Sequence, residues 1–515
     1  MSTVNYPLLS LLIIFPLLGA VVTGFSGTKD RARKIAAFIA VIELLGSVFA
    51  WYCFNPADEG GQFQLLERHA WIPNLNIEYL LGIDGISVLF LPMSAFVTLI
   101  AIVASWNSIQ HLEPFHYALL LTLEGITVGV FTALDMVLFF LFWELTLPPI
   151  FFLIGLWGIG PHRRMAAVKY TLFMLFGGAA LLLAIVILAL NTDLPADGVG
   201  TRLVFSLPTL LEKTLPDDLQ GTVFLLLLLA FAVKTPLIPF HTWMPTATME
   251  GSPQVAALLT GLKLGAFGII RFTMPLAPSA AVEYSWILGV LGAVTLIYGA
   301  LIALYQTNLR RLLAYSSVSH VGLVIVGIAS LNMQGIQGAI FQLFNFTVVA
   351  SSLMLIAGFI QHRLGSTEVV HLGGLAKVMP KLTCFYFIFV LASIGVPGTS
   401  GFPAELLLII SALIAHPSLG IAALAAAVLG AAYMFDFTRK AFFGPISHQT
   451  VRQLQDLRRR ELLLLCAPAL LVLAFGLFPN VILHTYKNTA EAWLSRILEQ
   501  PVNSNEVAGT NNLPE

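Results

Sequence analysis

Five ionisable residues sit inside apolar runs of this chain: Glu144, Lys234, Lys263, His320 and Glu405. Lys234 is the sharpest case. It lies in Phe231-Ala-Val-Lys-Thr-Pro-Leu-Ile-Pro-Phe-His-Thr-Trp243, after an apolar lead from Gly221 to Ala230 and two residues before Pro236. Pro236 cannot donate to the carbonyl four residues back, and Pro239 repeats the fault. A charge beside broken backbone in hydrocarbon is costly and is tolerated mainly around protein-lined or watery cavities. A snorkelling lysine is the plainer alternative, but this charge lies far from either end of its run.

Glu144 stands in Phe139-Phe-Leu-Phe-Trp-Glu-Leu-Thr-Leu-Pro-Pro149. Pro148, four residues on, takes away the helix partner of the Glu144 carbonyl, so a bend is expected there. Lys234 is its candidate partner, either in proton transfer or in a purely structural ion pair. His241 lies two helical turns beyond Lys234 and would share its face if the helix resumed; it is an auxiliary candidate, with Pro236 and Pro148. Lys263 is a second lysine in mid-span. His320 follows Ser316-Ser-Val-Ser, whose hydroxyls could hold its ring. Glu405 follows Pro403, with Thr399 or Ser400 near the cap of a resumed half-helix, which would set the acid at the positive end of a helix dipole. Glu124 has no partner legible in sequence, and Asp84 and Asp436 near span ends are read as solvated. A receptor or scaffold needs no such row of ionisable groups. An ion pump or antiporter does.

The elements that must position these residues are membrane helices. Of 515 residues, 58% are hydrophobic and 10% charged, and the mean hydropathy is +0.88. That composition predicts an all-α integral membrane protein. A net charge of −1 leaves no basic face for nucleic acid. Cys53, Cys384 and Cys466 are scattered without ligand spacing, so no iron–sulfur, zinc or disulfide framework is expected. The run from Leu8 to Val22 lacks a basic n-region and reads as an uncleaved first span.

Apolar runs able to cross ~30 Å of hydrocarbon fall at 7–25, 35–53, 83–105, 115–133, 135–157, 166–190, 222–243, 253–275, 284–306, 311–331, 336–361, 382–414, 418–438 and 461–483. The 382–414 run carries Gly395, Pro397, Gly398, Gly401 and Pro403 and reads as one broken helix. With residues 26–34 placed inside and the spans alternating, 18 basic residues lie inside and five outside, which obeys the positive-inside rule and puts both termini outside. The stretch 441–460 reads as a basic anchor at the headgroups or a surface amphipathic helix. The tail after Pro501 reads as a disordered or docking segment. Paired broken helices suggest two inverted five-helix repeats. The expected division is 1–110 for the first three helices, 111–280 and 281–440 for two channel repeats, and 441–515 for the connection, last helix and tail.

At these residues the chain resembles the antiporter-like subunits of respiratory complex I, which are related to multisubunit cation/proton antiporters. Within that family it is most similar to the bacterial chain M, mitochondrial subunit 4 and cyanobacterial or plastid D types. The resemblance rests on Leu81-Gly-Ile-Asp-Gly-Ile-Ser87, Phe142-Trp-Glu144, Ala232 to Trp243, Arg310-Arg-Leu-Leu-Ala-Tyr-Ser-Ser-Val-Ser-His320, and Pro397-Gly-Thr-Ser-Gly-Phe-Pro-Ala-Glu405, and it covers nearly the whole chain. It implies a fourteen-helix core with a Glu144–Lys234 pair, Lys263 as central lysine, His320 as connector and Glu405 as exit acid. It also implies proton translocation within a multisubunit complex whose other subunits carry NADH or ferredoxin, FMN, iron–sulfur clusters and quinone. The expected setting is a bacterial inner membrane or a thylakoid, and this chain would bind no cofactor itself. A cation/proton antiporter, an inorganic-carbon uptake complex and a structural spacer with a decayed pump are the alternatives. Three departures from the family pattern stand out: Thr246 and Thr248 in place of Asp and His, a slightly shorter segment before Lys263, and Phe346 where a mid-membrane histidine is usual.

Overall fold

A computed structural model describes residues 6–57, 63–192, 194–195, 201–213, 215–446 and 448–498. The tail after Pro501 lies outside the described residues. The chain is a stack of long apolar helices whose outward faces, for example Leu172, Ile421 and Val428, are exposed hydrocarbon. Large exposed apolar faces along long helices suit contact with lipid, and the chain is a multi-pass membrane protein.

Among the described residues ten helices are long and apolar enough to cross a membrane. The remaining expected spans fall short of that measure for visible reasons. Leu8–Gly24, Phe90–Ala104, Pro380–Ser393 and Gly401–Ala415 are shorter, and the last two are halves of the run expected to break. Asp217–Lys234 is 18 residues long but carries Asp217, Asp218 and Lys234.

The breaks follow from local chemistry. The Met136–Leu145 helix ends because Pro148 cannot reach back to Glu144, and the N–H of Thr146 takes that carbonyl instead before Leu147–Trp157 resumes. The Asp217–Lys234 helix ends before Pro236, and the Leu237 N–H satisfies the Ala232 carbonyl at 3.0 Å. The indole of Trp243 donates to the Val233 carbonyl at 2.8 Å, so two orphan carbonyls of this helix end are satisfied. A further break, not expected from sequence, interrupts the 253–276 span: Pro253–Gly261 stops, Lys263 lies in the gap, and Leu264–Gly268 restarts. Thr347 donates to the freed Gly261 carbonyl at 3.2 Å. Ile269–Thr273 continues as a π-turn.

Within this mostly helical fold, the loop after Lys29–Cys53 carries an antiparallel hairpin of Gln64–Ile72 and Ile77–Ile83. Glu67 of this hairpin accepts from the N–H groups of Leu9 and Ser10 at 2.7 and 3.1 Å, supplying the acidic cap that Pro7 cannot give to Leu8–Gly24. Arg68 pairs with Glu78 across the hairpin through two 2.8 Å bonds, which hold the Arg68 guanidinium above its ordinary pKa.

Within 441–460 a short helix, Gln449–Arg452, is followed by chain without regular structure up to the next helix at Arg459. Backbone carbonyls at Gln455 and Asp456 accept from Arg363, and the Asp456 carboxylate accepts from the N–H groups of Lys381 and Leu382. An extended segment is what those four bonds require. Beyond the last expected span, Asn480–Leu498 forms a helix of its own. It returns to the core through Trp493, which donates to the Ile270 carbonyl at 2.7 Å, and Arg496, which donates to that of Pro275 at 3.0 Å.

Asp84 is not solvated. It is 2% exposed, takes two backbone N–H bonds from Ile86 and Ser87, and forms a two-pronged ion pair with Arg271, itself 6% exposed. Asp436 does meet solvent, beside Arg439 and Lys440. Glu124 has partners that the sequence did not disclose: the hydroxyls of Ser94 and Thr98 each donate to one of its oxygens.

Candidate functional site

Lys234 is held at the broken end of its helix. Its ammonium donates to the Thr146 hydroxyl at 2.9 Å and to the Trp143 carbonyl at 3.3 Å, and lies 3.8 Å from the centre of the Trp143 ring. The expected direct pair with Glu144 is therefore open in this structure: no ion pair joins the two residues, and Thr146 stands as the lysine's partner. The break at Pro148 makes this possible, because it frees Thr146 to turn its side chain toward Trp143 and Lys234. Glu144 instead lies against Gly178, where a Cβ would come within 2.0 Å of Oε1, and that oxygen has no hydrogen-bond partner. Glu144 and Lys234 thus flank one helix break, with Thr146 as the hydroxyl partner of the lysine.

From Lys234 a cavity of about 40 Å³ runs to the next break, lined by Thr127, Tyr170, Trp243, Leu258, Leu262 and Leu264 among others. That volume admits at least one water. Leu262 and Leu264 flank Lys263, whose ammonium donates to the Ser317 hydroxyl at 2.5 Å. Gly265 and Gly268 let this second break press on the first: a Cβ at Gly265 would meet Thr235 at 2.2 Å, and one at Gly268 the Phe231 ring at 2.4 Å.

Ser317 and His320 are one turn apart on Leu309–Ala329, so they share a face. The serine hydroxyls do not hold the histidine ring as expected. Ser317 serves Lys263, Ser316 bonds Tyr433 at 2.9 Å, and Ser319 donates to the Leu296 carbonyl. Gln342 takes that part instead, 3.3 Å from His320 Nδ1. Behind it Asn345 donates to Gln342 at 3.2 Å and accepts from Ser400 at 2.6 Å. Phe346 packs on His320 with ring centres 4.6 Å apart. The apolar ring touches the connector, and the amides beside it continue the polar chain.

His320 Nδ1 is 3.5 Å from Glu405 Oε1. Glu405 is the fifth residue of Gly401–Ala415, whose N-cap is Ser400, one of the two caps expected; it stands just beyond the first turn, where a helix end acts most. Its environment is set by the break itself. Gly395 has φ +65°, and a Cβ there would lie 2.5 Å from Glu405 Oε2. Gly395→Ala is expected to destabilise the protein by about 1–3 kcal/mol through the left-handed backbone alone and to push Glu405 off its seat. A melting curve of the purified complex checks this, and an unchanged midpoint would remove the steric role given to Gly395.

His241 does not join this line. The helix does not resume until Trp243, and His241 sits in the Phe240–Thr242 turn with its ring against Tyr298 and Tyr315. Among the described residues the residues brought together are thus Glu144–Thr146–Lys234, then Lys263–Ser317, then His320–Gln342–Glu405. Thr146 and Gln342 carried no signal in sequence beyond being polar in apolar spans, and Ser317, expected beside His320, serves Lys263 instead.

Known proteins resemble this chain in sequence and fold. The family profile described as NADH:quinone oxidoreductase/Mrp antiporter, TM matches residues 133–430. NADH-quinone oxidoreductase subunit M of Rickettsia typhi is 34% identical over 493 residues, spanning 94% of this chain and 98% of that protein. F(420)H(2) dehydrogenase subunit M of Methanosarcina mazei is 37% identical over 492 residues, spanning 95% and 98%. A chain of the solved structure of respiratory complex I from Thermus thermophilus with bound NADH superposes with a TM-score of 0.85 at 28% identity, covering 95% of this chain and 99% of that one.

Proposed function

The chain belongs to the NADH:quinone oxidoreductase/Mrp antiporter transmembrane family, and from that premise we propose that it is a proton-translocating membrane-arm subunit of an NADH- or ferredoxin-dependent quinone oxidoreductase. The observation that carries the proposal is the line of ionisable groups at successive helix breaks, with a cavity wide enough for water between Lys234 and the Lys263 gap. FMN, iron–sulfur clusters and quinone belong to partner subunits in this reading, and this chain is the non-redox translocase. Fourteen spans in two inverted five-helix repeats, with both termini on the outer side of a bacterial inner or thylakoid membrane, complete it. The channel repeats are residues 111–280 and 281–440, between the first three helices and a last helix.

A change in a neighbouring subunit that moves the Met136–Leu145 helix closes or opens the Thr146 gap between Glu144 and Lys234. With Glu144 near, the ammonium is stabilised; with it apart, Lys234 yields its proton through the cavity to Lys263, and the Ser317 face passes it towards His320 and Glu405. Glu405 releases it outward. Each transfer moves one proton between heteroatoms.

Glu144→Gln is expected to cut proton pumping by about 100-fold or more, the scale of losing a positioned proton-transfer group, with assembly intact. Acidification of proteoliposomes per quinone reduced, alongside native-gel analysis of the complex, measures both, and normal pumping would sink the role of Glu144. A decayed pump retained as a spacer is the second reading, motivated by Phe346 against His320. Purification of the native complex separates the remaining rivals. Iron–sulfur and quinone-site partners support the redox complex, whereas small antiporter partners or a carbon-hydrating protein support the others.

A further inference from the structure

Glu43 lies midway along Lys29–Cys53, is 1% exposed, and neither of its carboxylate oxygens has a hydrogen-bond partner. Ser47, one turn on and on the same face, is fully buried with its hydroxyl unpartnered too. The depth of Glu43 is fixed by its neighbours. A Cβ at Gly46 would meet Leu12 at 2.8 Å and one at Gly19 would meet Ile39 at 2.5 Å, so Glu43 is level with Pro16, midway between Leu12 and Gly19. From the other side Gly125 meets Pro16 and the Ile13 carbonyl. Glu124 therefore lies at the same depth, and the two carboxyls interact electrostatically.

Among the described residues no cation faces them. The Leu8–Gly24 and Phe90–Ala104 helices contain no titratable residue, Lys29–Cys53 has Lys29, Arg31, Arg33 and Lys34 two or more turns from Glu43, Glu113–Thr132 offers only Glu113, His116 and Tyr117 two or more turns from Glu124, and Met136–Leu145 beside it carries only the acid Glu144. Two adjacent carboxylates buried in hydrocarbon without a counter-charge are untenable. Their surroundings are unlike. Glu124 receives one hydroxyl donor on each oxygen, from Ser94 and Thr98, an arrangement that suits an anion. Glu43 receives none.

We propose that Glu43 and Glu124 together bind one proton, with Glu43 as the neutral acid and Glu124 as the carboxylate. Only an O–H bond is made or broken when the proton arrives or leaves. The site is independent of the path above, since both residues precede the segment 133–430, yet it borders that path: Leu123 and Thr127, beside Glu124 on the same helix, line the Lys234 cavity.

Infrared spectroscopy of the purified complex in H₂O and D₂O tests this. The wild type should show a carboxylic-acid C=O band at neutral pH that shifts in D₂O. Glu43→Gln should remove that band with the melting temperature unchanged, because an amide mimics a neutral acid. Glu124→Gln should keep the band and move its frequency, because the neighbouring charge is gone. Identical spectra for wild type and Glu43→Gln would overturn the protonation of Glu43, and an unmoved band in Glu124→Gln would overturn the sharing. A wild-type melting temperature that rises in sodium over choline, and does so only with Glu43 present, would replace the proton with a metal cation and overturn the proposal. If Glu43→Gln fails to assemble, the band shift in Glu124→Gln decides alone.

Discussion

Lys234→Met is expected to stop proton translocation, by about 100-fold or more, while leaving the protein as stable as before or more so. The two halves of that expectation come from one geometry. The ammonium is the cationic group among the residues lining the cavity that reaches Leu262 and Leu264, so the expected path starts from it. Its structural value is small by comparison. Burying an ammonium costs several kcal/mol, and replacing a buried charge with an apolar chain of similar volume is often neutral or stabilising. Thr146 is not stranded by the change, because it already donates to the Trp143 carbonyl at 2.7 Å, and Glu144, which loses a nearby positive charge, can take up a proton. Proteoliposome acidification and a melting curve on the same preparation read both quantities. Transport near wild type would remove Lys234 from the path, and a collapse in stability would make it a structural charge instead.

Asp84→Asn is expected to produce the largest loss of stability, about 3–5 kcal/mol, because it leaves the buried Arg271 without its counter-ion. The amide cannot return the two-pronged contact, and among the described residues Arg271 has only the Phe63 and Phe267 rings beside it as further cation partners. Joint replacement, Asp84→Asn with Arg271→Gln, should recover most of that loss, since the uncompensated charge goes with its partner. Denaturation midpoints of the three variants measure the coupling. If the double variant is no better than Asp84→Asn, the pair is not what secures this end of the molecule.

These two residues also show what a linear reading can and cannot carry. The break beside Lys234 was legible because proline's missing donor acts within four residues, and the same local rule marked Pro148 and the Gly395-to-Pro403 stretch. Asp84 was misread because its partner is 187 residues away, and nothing local to a span end distinguishes an aspartate in water from one under an arginine. Thr146 and Gln342 escaped, and Ser317 was given the wrong partner, for a related reason: a hydroxyl or amide is common in apolar helices, and its worth depends on which neighbouring face it meets. The break at Lys263 lacks a proline at the gap; it rests on Thr347 from another helix and on glycines that admit the Phe231–Thr235 segment. The hairpin at 64–83 was hidden by its short, irregular alternation, and its purpose shows only when Glu67 reaches Leu9.

The bonds from Trp493 and Arg496 to the carbonyls of Ile270 and Pro275 set an order of events during synthesis. A ribosome delivers residue 270 more than two hundred residues before the side chain that will satisfy it. Until then the carbonyls of Ile270 and Pro275 lack the partners they have in the finished fold, so Asn480–Leu498 completes a segment made long before it.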